Sequence, residues 1–279
     1  MGEKDFISVG QGTPFFTDTS KHAASSIQAD TLFNFTTELS HIIGSINNKM
    51  LSPRYCEEDE QYLSLENIKS LFFPMKCFCD INLHRLGEHL SWYGYYGLAF
   101  SKEWGMKRGI QPIQYINPDS DLRAAFADAF NEALKSMTAA DYSHSQAIIN
   151  SYLLHQLEFL KPYQGMMRNR VTGKTELKCF TDECEWRFVP DLSETGYKQA
   201  YDQDDAKKNY LDEYNKAIGK NKKLSLQFDY SDIKYIIVKE SGDLLRLVDC
   251  INHLDVDNPL IKYELISKTI VWETSKGDF

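Results

Sequence analysis

A chain of 279 residues, 42% hydrophobic and 13% aromatic, holds enough apolar material for a substantial core and slightly exceeds the usual single-domain length. Its formal net charge of -9 and pI near 5.3 argue against a broad basic face for phosphate backbones, so extended nucleic-acid binding is not expected. Six cysteines are too few for a disulfide scaffold and no apolar run approaches the roughly 18 residues of a membrane span, which predicts a cytoplasmic protein with reduced thiols and no membrane contact.

Residues 1–30 are polar, carry Gly, Pro, Ser and Thr throughout, and predict an extended or partly ordered arm. From 31 to 279 the text reads as a single α+β domain. Phe33 and Phe35 alternate with Asn34 and Thr36 as in a strand buried on one face, and Leu39, Ile42, Ile43 and Ile46 then keep helical spacing behind Thr36 or Thr37 as N-cap. The acidic run Glu57, Glu58, Asp59 and Glu60 predicts a solvated face. LFFPMKCFCDI predicts a buried strand interrupted by Pro74.

The stretch from Cys77 to Asn117 mixes aromatics, glycines, histidines and charges between apolar runs, as a loop-rich binding or catalytic groove requires. A helical insertion near 120–160 follows. Its first helix carries the stripe Leu122, Ala125, Phe126, Ala129, Phe130, Ala133, Leu134 and Met137, and its second runs from about Ser143 to Phe159. Val171-Thr172-Gly173-Lys174 predicts a hairpin turn, the Asp182–Arg187 cluster a strand, and the polar text near 198–223 a helical surface excursion. LSLQF and IKYIIV predict strands, SGDLLRLVDCINHL a helix and ELISKTIVW a terminal strand. The sum is a mixed, mainly antiparallel sheet with a helical layer.

Several constellations carry chemistry. Cys77, Cys79, Cys179 and Cys184 could be assembled into a zinc site, but strand placement and the Cys179–Cys184 spacing fit buried free thiols better, and no metal is expected. His84, Glu88 and His89 do not form H-E-x-x-H, and His89 reads either as a substrate contact or as a hydrogen-bonded histidine at a helix end. Trp92-Tyr93-Gly94-Tyr95-Tyr96-Gly97 places glycines among rings, which suits close approach and stacking of a flat ligand and equally suits a structural aromatic cluster. On a strand, Glu183, Glu185 and Arg187 share one face, either as an ion-paired strand or as paired carboxylates in a groove. Lys102, Lys107 and Arg108, or Lys161, Arg168, Arg170 and Lys174, are candidates for a local basic groove. Phosphate-loop and dinucleotide fingerprints are absent.

Cys77-Phe78-Cys79-Asp80-Ile81, His89, Tyr93-Gly94-x-Tyr96-Gly97, Lys102-Glu103-Trp104-Gly105, Pro112-Ile113-x-Tyr115 and Glu183-x-Glu185-Trp186-Arg187-Phe188-Val189-Pro190 together resemble the AbiGi-type abortive-infection proteins. The resemblance runs from about Leu32 to the C-terminus. It implies a bacterial phage-resistance component paired with a cognate, toxin-like defence protein, with a nucleotide as a further candidate ligand. A wider similarity, to the histidine-tyrosine-glutamate layout of ADP-ribosyltransferases, implies an ADP-ribosyltransferase-like fold with NAD as cofactor. Under it Glu185, Glu183 and Arg187 would be catalytic, and Asn34, Thr36, His89, Trp92, Tyr93 and Tyr96 would hold the cofactor. Asn34 stands where that layout has histidine, and it can donate a hydrogen bond to a ribose hydroxyl without carrying charge.

Overall fold

The structure, a computed structural model, describes residues 28–137, 143–208 and 211–278, so the expected N-terminal arm lies outside the described residues as far as residue 27. Strand β1 (Thr31–Thr36) is buried on both faces, with Leu32 in one core cluster and Phe33 and Phe35 in another. Helix α1 (Leu39–Asn48) buries Leu39, Ile42 and Ile46; its N-cap is Glu38, and Thr36 Oγ1 instead meets His41 Nδ1 at 2.8 Å. After β2 (Met50–Leu51), β3 (Arg54–Asp59) carries most of the acidic run, which is not a uniformly solvated face. Alternation turns Glu58 toward Arg187, and Glu60 beyond the strand end is only 1% exposed. Strand β4 (Ser70–Cys79) passes through Pro74 without interruption. Tyr55, opposite Pro74, gives its N–H to Asn215 Oδ1 at 2.7 Å, so the pair needs no bond across the ladder and the proline removes none.

The aromatic-glycine stretch is not a loop. It is the end of α2 (Leu86–Tyr93), a turn at Gly94 and the start of β5 (Tyr96–Ser101). Strand β5 lies between two other strands and packs on both faces, so its text does not alternate. Helix α3 (Lys102–Lys107) is capped by Ser101 Oγ, and β6 (Gln111–Pro112) and β7 (Gln114–Ile116) lead to the helical layer. Helix α4 (Asp121–Ser136) starts at Ser120, and α5 (His144–Leu157) at a Ser143–Gln146 capping box. Ala127, Phe130 and Leu157 pack on Leu71, Phe73 and Met75 of β4, while Leu122 and Met137 of the predicted stripe are exposed with Ile148, Ile149 and Tyr152.

Strand β8 (Leu160–Pro162) precedes the predicted hairpin of β9 (Gln164–Arg168) and β10 (Thr175–Cys179), and β11 (Glu185–Phe188) follows. Strand β12 (Tyr201–Asp202), α6 (Gln203–Lys208) and α7 (Leu211–Lys220) are more than a surface excursion. Tyr201, Ile218 and Leu224 join Tyr55 and Leu192 in a buried cluster of their own. The chain closes with β13 (Leu226–Gln227), β14 (Ile233–Val238), α8 (Ser241–Asn252), α9 (Leu260–Ser267), β15 (Thr269–Val271) and α10 (Trp272–Ser275). The ELIS text is helical, not strand: Pro259 stands at the helix start and Leu265 is fully buried against the core.

Among the described residues the main sheet runs β15-β14-β5-β1-β4-β11-β6, with β3 and β12 also paired to β4. It is antiparallel except for β14 with β15, which makes the molecule α+β with a mixed, mainly antiparallel sheet. Strands β1 and β4 share the register pair Phe33–Cys79 and then separate, with Asn34 Nδ2 donating to the Cys77 carbonyl at 2.8 Å across the opening. Helix α2 is held against that opening through Gly94, whose φ is 109° and where a Cβ would lie 2.3 Å from the Thr36 carbonyl oxygen. Gly94→Ala is therefore expected to cost about 1–3 kcal/mol, through left-handed strain and overpacking together, read as a lower urea midpoint with an unchanged m-value.

Candidate functional site

Where β1 and β4 diverge, a cavity of about 1190 Å³ opens, lined by residues 33–37 on one side and 75–78 on the other. Asn34, Thr36, His89, Tyr93, Glu183 and Glu185 all line it. Trp92, Tyr96 and Arg187 do not. Trp92 is buried behind the wall, where its Nε1 donates to Glu88 Oε1 at 3.0 Å and Lys178 Nζ sits 4.2 Å from its ring centroid. Tyr96 donates to Asp243 at 2.9 Å, away from the cavity. Arg187 lies beneath the floor, with no exposed surface.

The floor is built by a change of backbone, not by simple strand alternation. Phe180–Glu183 forms a 3₁₀ turn, Cys184 takes a left-handed conformation at φ 42°, and only then does β11 begin. This kink brings both carboxylates to one ammonium: Lys161 Nζ lies 2.7 Å from Glu183 Oε2 and 2.8 Å from Glu185 Oε2. Arg187 then fixes Glu185 from below, with Nε 2.7 Å from Oε1, while its Nη2 reaches Glu58 at 2.9 Å and its Nη1 the Glu158 carbonyl at 2.8 Å. Tyr93 Oη donates to Glu183 Oε1, and Tyr115 Oη accepts from the Glu185 backbone N–H at 2.9 Å.

Charges this deep survive because each is paired. Burial alone would push the Glu185 carboxyl up, but Arg187 and Lys161 outweigh it and hold it well below the ordinary range. Glu183 differs. Burial and the neighbouring Glu185 raise its value, against the opposing pull of Lys161. His89, stacked on Tyr93 with centroids 4.4 Å apart, is pushed down to about 3 by burial and by Lys178, so it is a neutral imidazole at neutral pH. Arg170 lies over the other ring of this pair, 5.3 Å from the Tyr93 centroid. The arrangement offers an ionised, rigid floor and a neutral aromatic wall, which suits binding and orientation better than proton transfer from Glu185.

Sequence patterning joins Glu183, Glu185 and Arg187 but not Lys161, which appears there only as one candidate of a basic groove. Lys178, Lys76 and Glu58 carry no local signal. They reach the site from separate strands, β10, β4 and β3, through pairings that no short window contains. Among the described residues no group of three or more His, Cys, Asp or Glu could hold a metal ion, and the six cysteines are free.

The His89 shift has a definite sign. Below its ordinary value of 6.5 the unfolded chain takes up a proton that the folded chain refuses until about 3, so stability is lost as pH falls through that window. His89→Phe is expected to flatten the fall in urea midpoint between pH 6.5 and about 3, and parallel slopes in the two proteins would rule out this assignment.

Residues 48–239 match the family described as "Putative abortive phage resistance protein AbiGi, antitoxin". The abortive phage resistance protein AbiGi of Lactococcus lactis subsp. cremoris is 33% identical over 250 residues, covering 81% of this chain and 98% of that protein. No solved structure matches. The matched segment spans most of the cavity wall and all of the charged floor, and the chain belongs to the AbiGi family of abortive phage resistance proteins.

Proposed function

We propose that this chain is the antitoxin-type half of a two-protein abortive-infection system in the bacterial cytoplasm, held by contact with a cognate toxin-like protein and using the β1–β4 cavity as its ligand groove. The observation that carries the reading is the family match over 48–239, within which Lys161, Glu183, Glu185 and Arg187 build a rigid, fully paired floor. A restraining protein needs a fixed surface more than a reactive group. Ile148, Ile149 and Tyr152, all exposed on α5, add apolar area of the kind that protein partners cover. Capture from cells expressing the complete defence locus, with a tag on this chain, is expected to bring down one cognate protein, and Ile148→Asp with Ile149→Asp to release it. Recovery of the tagged chain alone would sink the paired reading.

A second reading is an ADP-ribosyltransferase-like enzyme that uses NAD to modify a protein or nucleic acid. It is favoured by the convergence of Asn34, Thr36, His89, Tyr93, Glu183 and Glu185 on one cavity. It is weakened by the engagement of both Glu185 oxygens by Arg187 and Lys161. Under it, Glu185→Gln abolishes phage protection and NAD gives a calorimetric binding signal. Intact protection together with no NAD heat removes it.

A further inference from the structure

Among the described residues three buried cations are neutralised at close range: Lys102 by Asp80 at 2.7 Å, Lys161 by Glu183 and Glu185, Arg187 by Glu185 and Glu58. Four further cations line the cavity without such a close partner, Arg54, Arg168 and Arg170 exposed to solvent and Lys76 half-buried. Arg54 of β3, Lys76 of β4, Arg168 at the end of β9 and Arg170 in the hairpin turn line the same space, and among the described residues none of them has a carboxylate partner. Lys76 is half-buried, and burial together with the nearby Arg54 and Arg170 lowers its value to about 8, against the opposite pull of Cys77 and Cys56. Glu57 and Asp59 line the same cavity, but the like charges around Lys76 repel one another, and an anion placed between them relieves that repulsion.

The turn that presents two of them is built rather than loose. Asn169, 5% exposed, accepts from the N–H groups of Val171 and Thr172 at 2.8 and 2.9 Å, and the Arg170 N–H donates to the Trp92 carbonyl at 2.9 Å. The hairpin is thereby tied to the end of α2 with the Arg170 guanidinium over the Tyr93 ring. From the cations the cavity continues to Asn34, Ser40, His41, Ser45 and Asn48, a wall of amides, hydroxyls and imidazole. Its volume of about 1190 Å³ far exceeds what a lone inorganic anion fills and suits a whole nucleotide.

We propose that the β1–β4 cavity binds a nucleotide, with its phosphoryl groups at Arg54, Lys76, Arg168 and Arg170 and its sugar and base against the polar wall from Asn34 to Asn48. This deepens the ligand-groove reading given above and rests on it. Guanidinium groups pair phosphoryl oxygens bidentately, and the ammonium of Lys76 adds a point charge between them.

The test is calorimetric titration of the intact chain with ATP, AMP and pyrophosphate at low and at high salt. ATP is expected to bind more tightly than pyrophosphate, to weaken as salt rises, and to lose about tenfold or more in affinity in Arg168→Gln/Arg170→Gln, a loss matching about 1.4 kcal/mol or more of charge-assisted bonding. Lys76→Gln, at a side chain more exposed to solvent than Lys102 or Lys161, is the second variant, with unchanged thermal melts confirming its fold. Absence of heat from all three probes, or affinity unchanged in both variants, overturns the proposal. Pyrophosphate binding as tightly as ATP overturns the nucleotide assignment. Partner capture is read in a separate experiment, so failure of the paired-system reading leaves the calorimetric outcome to be judged alone.

Discussion

A guanidinium wholly removed from water has to be met on every side, and Arg187 is the group whose demands organise this molecule. Its partners come from its own strand, from Glu58 on β3 and from the carbonyl at the end of α5. Through Glu185 the obligation passes to Lys161 on β8, and through Glu183 to Tyr93 at the end of α2. Elements far apart in the chain are thereby held to one point, and leaving any of these charges unpaired would cost about 3–5 kcal/mol. The left-handed Cys184 is a small local strain set against that sum.

The same network treats two neighbouring carboxyl groups of the interior, Glu185 and Glu60, in opposite ways. Glu185 has cationic partners in Arg187 and Lys161 and keeps its charge. Glu60, close behind and 1% exposed, is raised to about 8 by burial and by the negative Glu58, with Arg187 too committed to compensate, so it stays protonated at neutral pH. Proximity to an arginine is therefore not enough to ionise an acid here. What decides is whether the arginine still has a direct bond to give.

How far the sequence discloses this depends on distance along the chain. Helices α4 and α5 were legible because capping residues and apolar spacing lie within one window, although Leu122 and Met137 show that an apolar stripe can be wider than the surface available to bury it. The Glu183-Glu185-Arg187 face was legible as well, for the wrong geometric reason: a 3₁₀ turn and a kink, not a continuous strand, make the two glutamates converge. Helix α9 is hard to read because ELIS runs into a true strand without punctuation, and the distinguishing features are Pro259 at its start and the burial of Leu265. Lys161, Lys178 and Lys76 acquire meaning through strand pairings that sequence patterning does not express. The aromatic-glycine stretch resembles loop text because a strand packed on both faces loses the alternation that marks it.

The parting of β1 from β4 has a mechanical meaning. Among the described residues one register pair and one asparagine side chain join β1 to β4 within the sheet, whereas the strands on either side are laced by several pairs in succession, and Phe78 and Trp186, packing on the core of Leu32 and Leu98, tie the two sides together beneath. Such a seam resists shear far less than a full ladder does. The opening is thus a local gap in an otherwise continuous ladder, and any molecule spanning it from Asn34 to Lys76 would brace the gap from the side that the core does not reach.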